Sequence, residues 1–464
     1  MSTEYKKKLL IISLTITFFY TLHLALPIYI LSDYLSAYID TKYIGVIFGI
    51  SGLLSIYLIN SYNKLLRQYH NYKTTFGLII ADIITLIMMS MINSPIYVSV
   101  FTILYISIVA LLGVSVNLYV EEFSNNKDTG VVRGIFLTIS SLALILGLFI
   151  ANKLTAQIWD IENYTFIKYN YTYIFLVDAL LLLPIIYLVR HYYRHVQEPK
   201  YTGGNMWSVL KHLRRNTNLK GVFTANLMVA VFVTTMITYF INYLTRYGHL
   251  AMPDYIGILM PIALLPFIII PYKVGDLADK KYGEKEFMII GLAIMAISLL
   301  AIPLASMYID NIIHSMSMAF NSNILNINKS ITNIGNVLPI GLQDNLNIIN
   351  AKLHYKMMII WGAVLILGRI GSSMVETAAN SYFYKTISRT DSDSIALFTN
   401  IGAIGIVIGG TLSVISYYLD NFINQNIFIK SIFKDLNIHY SLYIIVAIII
   451  IYNIKYINRI EDTK

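Results

Sequence analysis

No cysteine occurs anywhere in the 464 residues, which excludes disulfides, thiolate metal sites and cysteine nucleophiles. Charge is also scarce. Asp, Glu, Lys and Arg make up 13% of the chain, about half of the roughly 25% usual in soluble proteins. Chemical motifs are missing as well: there is no Walker-type phosphate loop, no His-Glu-x-x-His and no Gly-x-Ser-x-Gly. No connecting loop gathers histidines with carboxylates. ATP use through a phosphate loop and the common hydrolase chemistries are therefore not expected. No catalytic residue, metal site or cofactor is assigned, and the chain is not expected to be an enzyme.

What is there is apolar. The chain is 57% hydrophobic, with a mean hydropathy of +0.64. Length alone suggests roughly three soluble domains, but this composition argues for one integral membrane protein. The opening MSTEYKKKLLIISLTITFFY resembles a signal peptide, yet its apolar run continues to about Ser32 without a small-residue cleavage site, which predicts a retained span. A helix needs about 20 apolar residues to cross the hydrocarbon core. Such runs begin near Leu9, Tyr43, Phe76, Ile96, Gly134, Tyr173, Val222, Tyr255, Phe287, Met357, Ile395 and Ser441. The expected fold is all-α, with about twelve transmembrane helices, numbered here as spans 1 to 12. The runs are too long and too uniform for barrel strands.

The net charge of +9 would suggest nucleic acid in a soluble protein. Here Lys and Arg concentrate on the loops of one side, at Lys6–Lys8, Arg190–Lys220 and Lys273–Lys285. Of the 34 Lys and Arg, Arg369 alone lies mid-span. The bias predicts cytoplasmic N- and C-termini and a multi-pass protein of the cytoplasmic membrane. The basic charge is then topological, and nucleic acid is not an expected partner.

The chain reads as two halves. Residues 1–190 hold six spans, 191–220 form a cytoplasmic linker, and 221–464 hold six more. Within the linker, MWSVLKHLRR predicts either a helix lying on the inner leaflet, with Met206, Trp207, Leu210 and Leu213 on one face, or a plain basic connection. Tyr43-Ile44-Gly45 and Tyr255-Ile256-Gly257 lie 212 positions apart, and Asn117-Leu-Tyr119 resembles Asn380-Ser-Tyr382 at an offset of 263. An extracytoplasmic insert between spans 9 and 10, residues 310–356, accounts for most of the growth in offset. Internal repeats of this kind are a feature of transporter folds.

The stretch GDLADKKYGEK after span 8 resembles the signature loop of the major facilitator superfamily of secondary transporters. Gly275, Leu277, Ala278, Asp279, Lys280, Gly283 and Lys285 match it, although one extra residue separates Asp279 from Gly283 and Glu284 replaces a basic residue. The copy after span 2, NKLLRQYHNYK, is weaker and has Arg67 at the aspartate position. The resemblance implies two six-helix bundles around a central cavity that opens alternately to each side, lined most closely by spans 1, 4, 7 and 10. It also implies that the signature aspartate faces the cytoplasmic start of a helix in the other half. Two latches of opposite polarity are therefore expected, Asp279 with Arg133 and Arg67 with Asp391 or Asp393. The alternative is that these charges only hold their loops in the cytoplasm. The Gly-Pro-rich fifth helix of drug/proton antiporters is not evident.

Polar residues within the spans are the candidate site. Arg369 in GRIGSSMVE either binds an anionic substrate group or a carboxylate of another helix, or forms a structural salt bridge. Glu376 lies seven residues on, close to the same face. His23 is a candidate carrier of a coupling proton or a structural, hydrogen-bonded histidine. Asp82 and Asp178 are further proton candidates, on spans that the resemblance places peripherally. Thr235, Thr238 and Asn242 share a face of span 7. With Tyr20, Tyr239 and Trp361 they suggest a wall of the substrate cavity, although threonines also bond back to their own helix. In the insert, apolar residues at helical spacing on either side of Pro339 predict two amphipathic helices, forming a lid or a membrane-resting decoration.

The expected function is secondary active or facilitated transport of a small solute, substrate unassigned, by alternating access. A proton or Na+ is a possible coupling partner, the bilayer is the surroundings, and a monomer is expected. The competing reading is a non-transporting receptor or scaffold on a transporter fold.

Overall fold

The computed structural model describes residues 3–28, 30–91, 94–123, 129–156, 171–194, 216–236, 258–278, 283–331, 340–386, 401–425 and 441–461, with 196, 240, 394, 397 and 398. Among these residues the secondary structure is entirely helical. Water is absent from hydrocarbon, so a crossing segment must satisfy its backbone groups internally, and helices do so within one segment.

The helices match the twelve apolar runs one for one. Among the described residues, nine are long and apolar enough to cross a membrane: Glu4–Ser36, Lys42–Tyr62, Lys64–Met91, Pro95–Phe123, Gly134–Leu154, Thr172–Tyr193, Thr217–Thr234, Glu284–Ile309 and Tyr355–Thr386. They correspond to spans 1 to 7, 9 and 10. Three shorter apolar helices, Met260–Gly275, Ile401–Ser416 and Ser441–Ile457, stand at spans 8, 11 and 12. The linker segment MWSVLKHLRR lies outside the described residues. In the insert the helices of spans 9 and 10 run on, as Glu284–Ile331 and Ile340–Thr386. Its described part is thus continuous with the spans rather than a pair of separate helices.

Glycine lets backbones approach where the two halves meet. A Cβ on Gly52 of span 2 would lie 2.7 Å from the carbonyl oxygen of Ala403 on span 11. One on Gly410 of span 11 would lie 2.7 Å from the carbonyl oxygen of Gly45. Both distances are below van der Waals contact, so no side chain fits this seam without separating the helices.

The loops after spans 2 and 8 share a construction. Each turns through one residue with positive φ, His70 (62°) in the first and Gly283 (85°) in the second. In each, the next residue is a buried polar group tied to the fourth span of its half. Asn71 donates from Nδ2 to the carbonyl oxygen of Ser115 (3.1 Å) and accepts from the Tyr62 hydroxyl (3.1 Å). Glu284 accepts from Lys385 Nζ at 2.6 Å and from the Ser381 hydroxyl at 3.3 Å. The departure from the signature at Glu284 thus has a partner on span 10.

Two stability predictions follow from these loops. Glu284 is 1% exposed, so Lys385→Met strands a buried carboxylate, at a cost of about 3–5 kcal/mol. Thermal unfolding in detergent should show Lys385→Met well below the native chain, with Glu284→Gln in between, because that change removes the buried charge itself. At φ 62°, ψ 163° His70 occupies a region that is essentially glycine-only, at about 1–3 kcal/mol of strain. His70→Gly should therefore raise the unfolding temperature, and His70→Val should lower it.

Candidate functional site

Two adjoining cavities lie where the two halves of the chain face each other. The larger, about 340 Å³, is walled mainly by aliphatic residues, with Tyr20, Phe48 and Tyr105 supplying aromatic surface. The smaller, about 290 Å³, is more polar and includes Asn117, Asn226, Glu376, Asn380 and Tyr384. Asn117, Ala230, Val233 and Gly402 border both, so the two adjoin. Each is near the lower end of the roughly 300–1,000 Å³ range of small-molecule sites.

The internal repeat organises this space. Asn117 of span 4 and Asn380 of span 10 stand 263 positions apart, and both line the smaller cavity. Each donates its Nδ2 to the carbonyl oxygen four residues back, Asn117 to Gly113 (3.0 Å) and Asn380 to Glu376 (2.7 Å). The same offset pairs Gly113 with Glu376. In the first half, the space beside the bare Gly113 is taken by the Tyr20 hydroxyl, 2.8 Å from where a Cβ would stand. That hydroxyl donates to the carbonyl oxygen of Val109 at 3.0 Å. In the second half, the equivalent position presents a carboxylate.

Behind Tyr20 and Tyr105 lies a trio of ionisable side chains. His23 of span 1 has Nδ1 2.9 Å from Asp178 Oδ1 of span 6 and Nε2 3.0 Å from Asp82 Oδ2 of span 3. The first contact has hydrogen-bond geometry. The second is a close approach off the hydrogen-bonding line. All three side chains are fully buried. The hydrogen-bonded contact with Asp178 requires a proton between nitrogen and oxygen, so the trio holds a proton inside the helix bundle. Tyr105 packs edge-to-face on the imidazole, ring centroids 5.9 Å apart. Its hydroxyl is buried without a hydrogen-bond partner among the described residues. The two tyrosines thus line the cavity on one face and touch the trio on the other.

The second half carries no copy of this trio. The repeat offsets place Thr235, Ile294 and Ser441 at the positions of His23, Asp82 and Asp178. Thr235 donates to its own helix at Val231 (2.8 Å), and Ser441 pairs with Ser416 (2.6 Å). Among the described residues, this ion cluster belongs to the first half.

Of the residues expected on the substrate cavity, Tyr20 lines it. His23, Thr235, Trp361 and Arg369 do not, because each is packed between helices. Thr234, one residue away and about 100° around the helix, takes the place expected of Thr235. Trp361 is fully buried and meets Phe240 edge-to-face at 5.6 Å. The Arg369 guanidinium lies over the Phe267 ring of span 8, 6.0 Å from its centroid. Tyr239, Thr238 and Asn242 lie outside the described residues. Of the proton candidates, His23, Asp82 and Asp178 come together, whereas Glu376 stands apart on the cavity wall. Sequence reasoning missed Tyr105, Asn226 and Tyr384. It noted Asn117 and Asn380 as a repeat without placing them at the site, and that match was the available signal.

In the signature loop, Gly275 ends span 8, and the Gly283 N–H donates to the carbonyl oxygen of Ala278 at 3.1 Å. Asp279, Lys280, Asp391 and Asp393 lie outside the described residues, as does the side chain of Arg133. Arg67 is exposed.

No curated protein sequence matches the chain. Solved structures match over nearly its whole length. A bacterial homolog to the human lysosomal transporter Spinster, inward-facing and occupied, aligns with TM-score 0.62 at 11% identity, covering 99% of this chain and 97% of the other. The nucleoside transporter NupG aligns with TM-score 0.59 at 14% identity, covering 97% and 99%. The proton:xylose symporter XylE aligns with TM-score 0.58 at 12% identity, covering 100% and 98%. At these identities the likeness concerns the fold. Residues 115–335 match the sequence model of the Major Facilitator Superfamily, the family whose signature loop the sequence resembles.

Proposed function

We propose that the chain moves a small solute through the cavity between its halves by alternating access, and that the His23–Asp82–Asp178 trio carries a coupling proton. The observation behind this reading is the position of the trio. Three ionisable groups lie in the membrane interior, where each isolated charge costs about 2.5–3.5 kcal/mol on insertion scales. Tyr20 and Tyr105 line the cavity and lie beside the His23 ring. A purely structural pairing needs one acid for one base. Here two carboxylates share one imidazole, so the set titrates as a unit and changes charge by gaining or losing a single proton. Rotation of either tyrosine opens the trio to the cavity. Solute packed on those rings and protonation behind them are then coupled, each favouring the conformation that suits the other. That XylE is a proton:xylose symporter lends support by analogy of fold.

The glycine seam between spans 2 and 11 supplies one closed contact that must part in the opposite state. The charge bias of the loops supports cytoplasmic termini. The signature loops then lie at the cytoplasmic end, where the proposed latches, Asp279 with Arg133 and Arg67 with Asp391 or Asp393, hold that end shut in the outward-open state.

The test uses full-length protein in liposomes and a radiolabelled solute that the native chain accumulates in response to a pH gradient. Asp178→Asn and His23→Gln should each reduce gradient-driven accumulation at least about tenfold and leave solute exchange at equal pH largely intact. Unchanged accumulation in both variants would remove the trio from coupling. Loss of exchange together with accumulation, in protein that remains folded, would make the trio structural.

A further inference from the structure

We infer that the transported solute is an organic cation, an ammonium or guanidinium group on an apolar body, and that Glu376 receives the positive head. This inference rests on the reading of the cavity as the solute path. Three features of the cavity carry it.

The first is charge. Among the described lining residues, Glu376 is the one ionisable acid, and no Lys, Arg or His lines either cavity. The Glu376 carboxylate has no hydrogen-bond or ion-pair partner at direct range among the described residues. Arg369 sits two turns away on the same helix and acts on the Glu376 carboxyl through space, while its guanidinium is packed over Phe267 outside the cavity lining. An acid within the membrane that faces a cavity without a partner at direct range is completed by a cation arriving from outside.

The second feature is hydrogen bonding. Asn117 and Asn380 each commit an amide hydrogen to their own helix. The Glu376 carboxylate beside them, when ionised, is an acceptor with no donor of its own. Such an acceptor suits a donor-rich head such as an ammonium, which has three N–H groups and no acceptor.

The third feature is the asymmetry of the repeat. The position equivalent to Glu376 in the first half is Gly113, covered by Tyr20, and the space on that side is walled by Phe48, Tyr105 and aliphatic side chains. The anion stands at one end and the apolar and aromatic surface at the other. Such a site orients an amphipathic cation, head towards span 10 and body towards spans 1 and 4. Aromatic faces add attraction for a cation that passes over them.

The test is binding by full-length protein in nanodiscs, measured by isothermal titration against isosteric sets that differ only in the head. Suitable sets are 2-phenylethylammonium, 2-phenylethanol and phenylacetate, then tryptamine, tryptophol and indole-3-acetate. At least one ammonium should bind about tenfold or more tightly than its alcohol and its acid. Glu376→Gln should erase the margin between ammonium and alcohol, and Glu376→Asp should keep it. The ranking on the native chain stands without the variants should they fail to fold. Equal binding of ammonium and alcohol, preference for the acid, or no ammonium binding ahead of its partners would overturn the inference. Uptake of other solutes by liposomes holding the same protein would then leave the transport reading standing. A tightly bound amine that never crosses would instead sink the transport reading and leave the cation site.

Discussion

A charge inside a bilayer must be paired or must face something that will pair it, and this constraint arranges the interior of the protein. Burying an ion in low dielectric costs several kcal/mol even after relaxation. The chain meets the cost in two ways. His23, Asp82 and Asp178 converge from three spans, each carboxylate within 3.0 Å of the imidazole. Glu376 takes the other course and stands on the wall of a cavity between the halves. The fold therefore separates a sealed ionic cluster from an open one, with two tyrosines between the cluster and the cavity.

The same economy governs how the halves touch. Association of helices in lipid gains little from the hydrophobic effect, so close backbone packing and buried hydrogen bonds hold the bundle. Glycines bring span 2 against span 11, beside a cavity lined by residues of spans 1, 2, 4, 5, 7, 10 and 11. Within each half, a single positive-φ turn and one buried polar residue fasten the loop after the second span to the fourth. Asn71 does this through neutral hydrogen bonds and Glu284 through an ion pair, so the two halves reach one geometry by different chemistry.

The spans were legible because a run of about 20 apolar residues has few other outcomes, and the repeat was legible because short triplets recur at related offsets. The contacts of the ionisable residues were not. His23 was readable as a histidine on span 1, but its face depends on helix rotation, and the partners on spans 3 and 6 are 59 and 155 positions away. Thr235 was expected on the cavity and Thr234 stands there, since one residue of phase on a helix moves a side chain by about 100°. Arg369 drew attention as the lone mid-span cation, yet composition cannot distinguish a cavity wall from a cushion against Phe267. The strongest unread signal was the Asn117–Asn380 match. Aligning the halves on it pairs Glu376 with Gly113 and shows that the acid has no counterpart in the first half.

The central claim is that the two halves rock about the cavity so that its ends open in turn. Because the chain has no cysteine, paired spin labels can be introduced without removing any native residue. One pair, Arg67→Cys with Lys273→Cys, spans the halves at the end that carries the signature loops. A second pair, Tyr43→Cys with Tyr355→Cys, spans them at the opposite end. Pulsed electron–electron double resonance in nanodiscs at two pH values should give two distance populations for each pair, one pair lengthening as the other shortens. A single unchanging distance at both ends, in protein that still takes up its solute, would contradict the account.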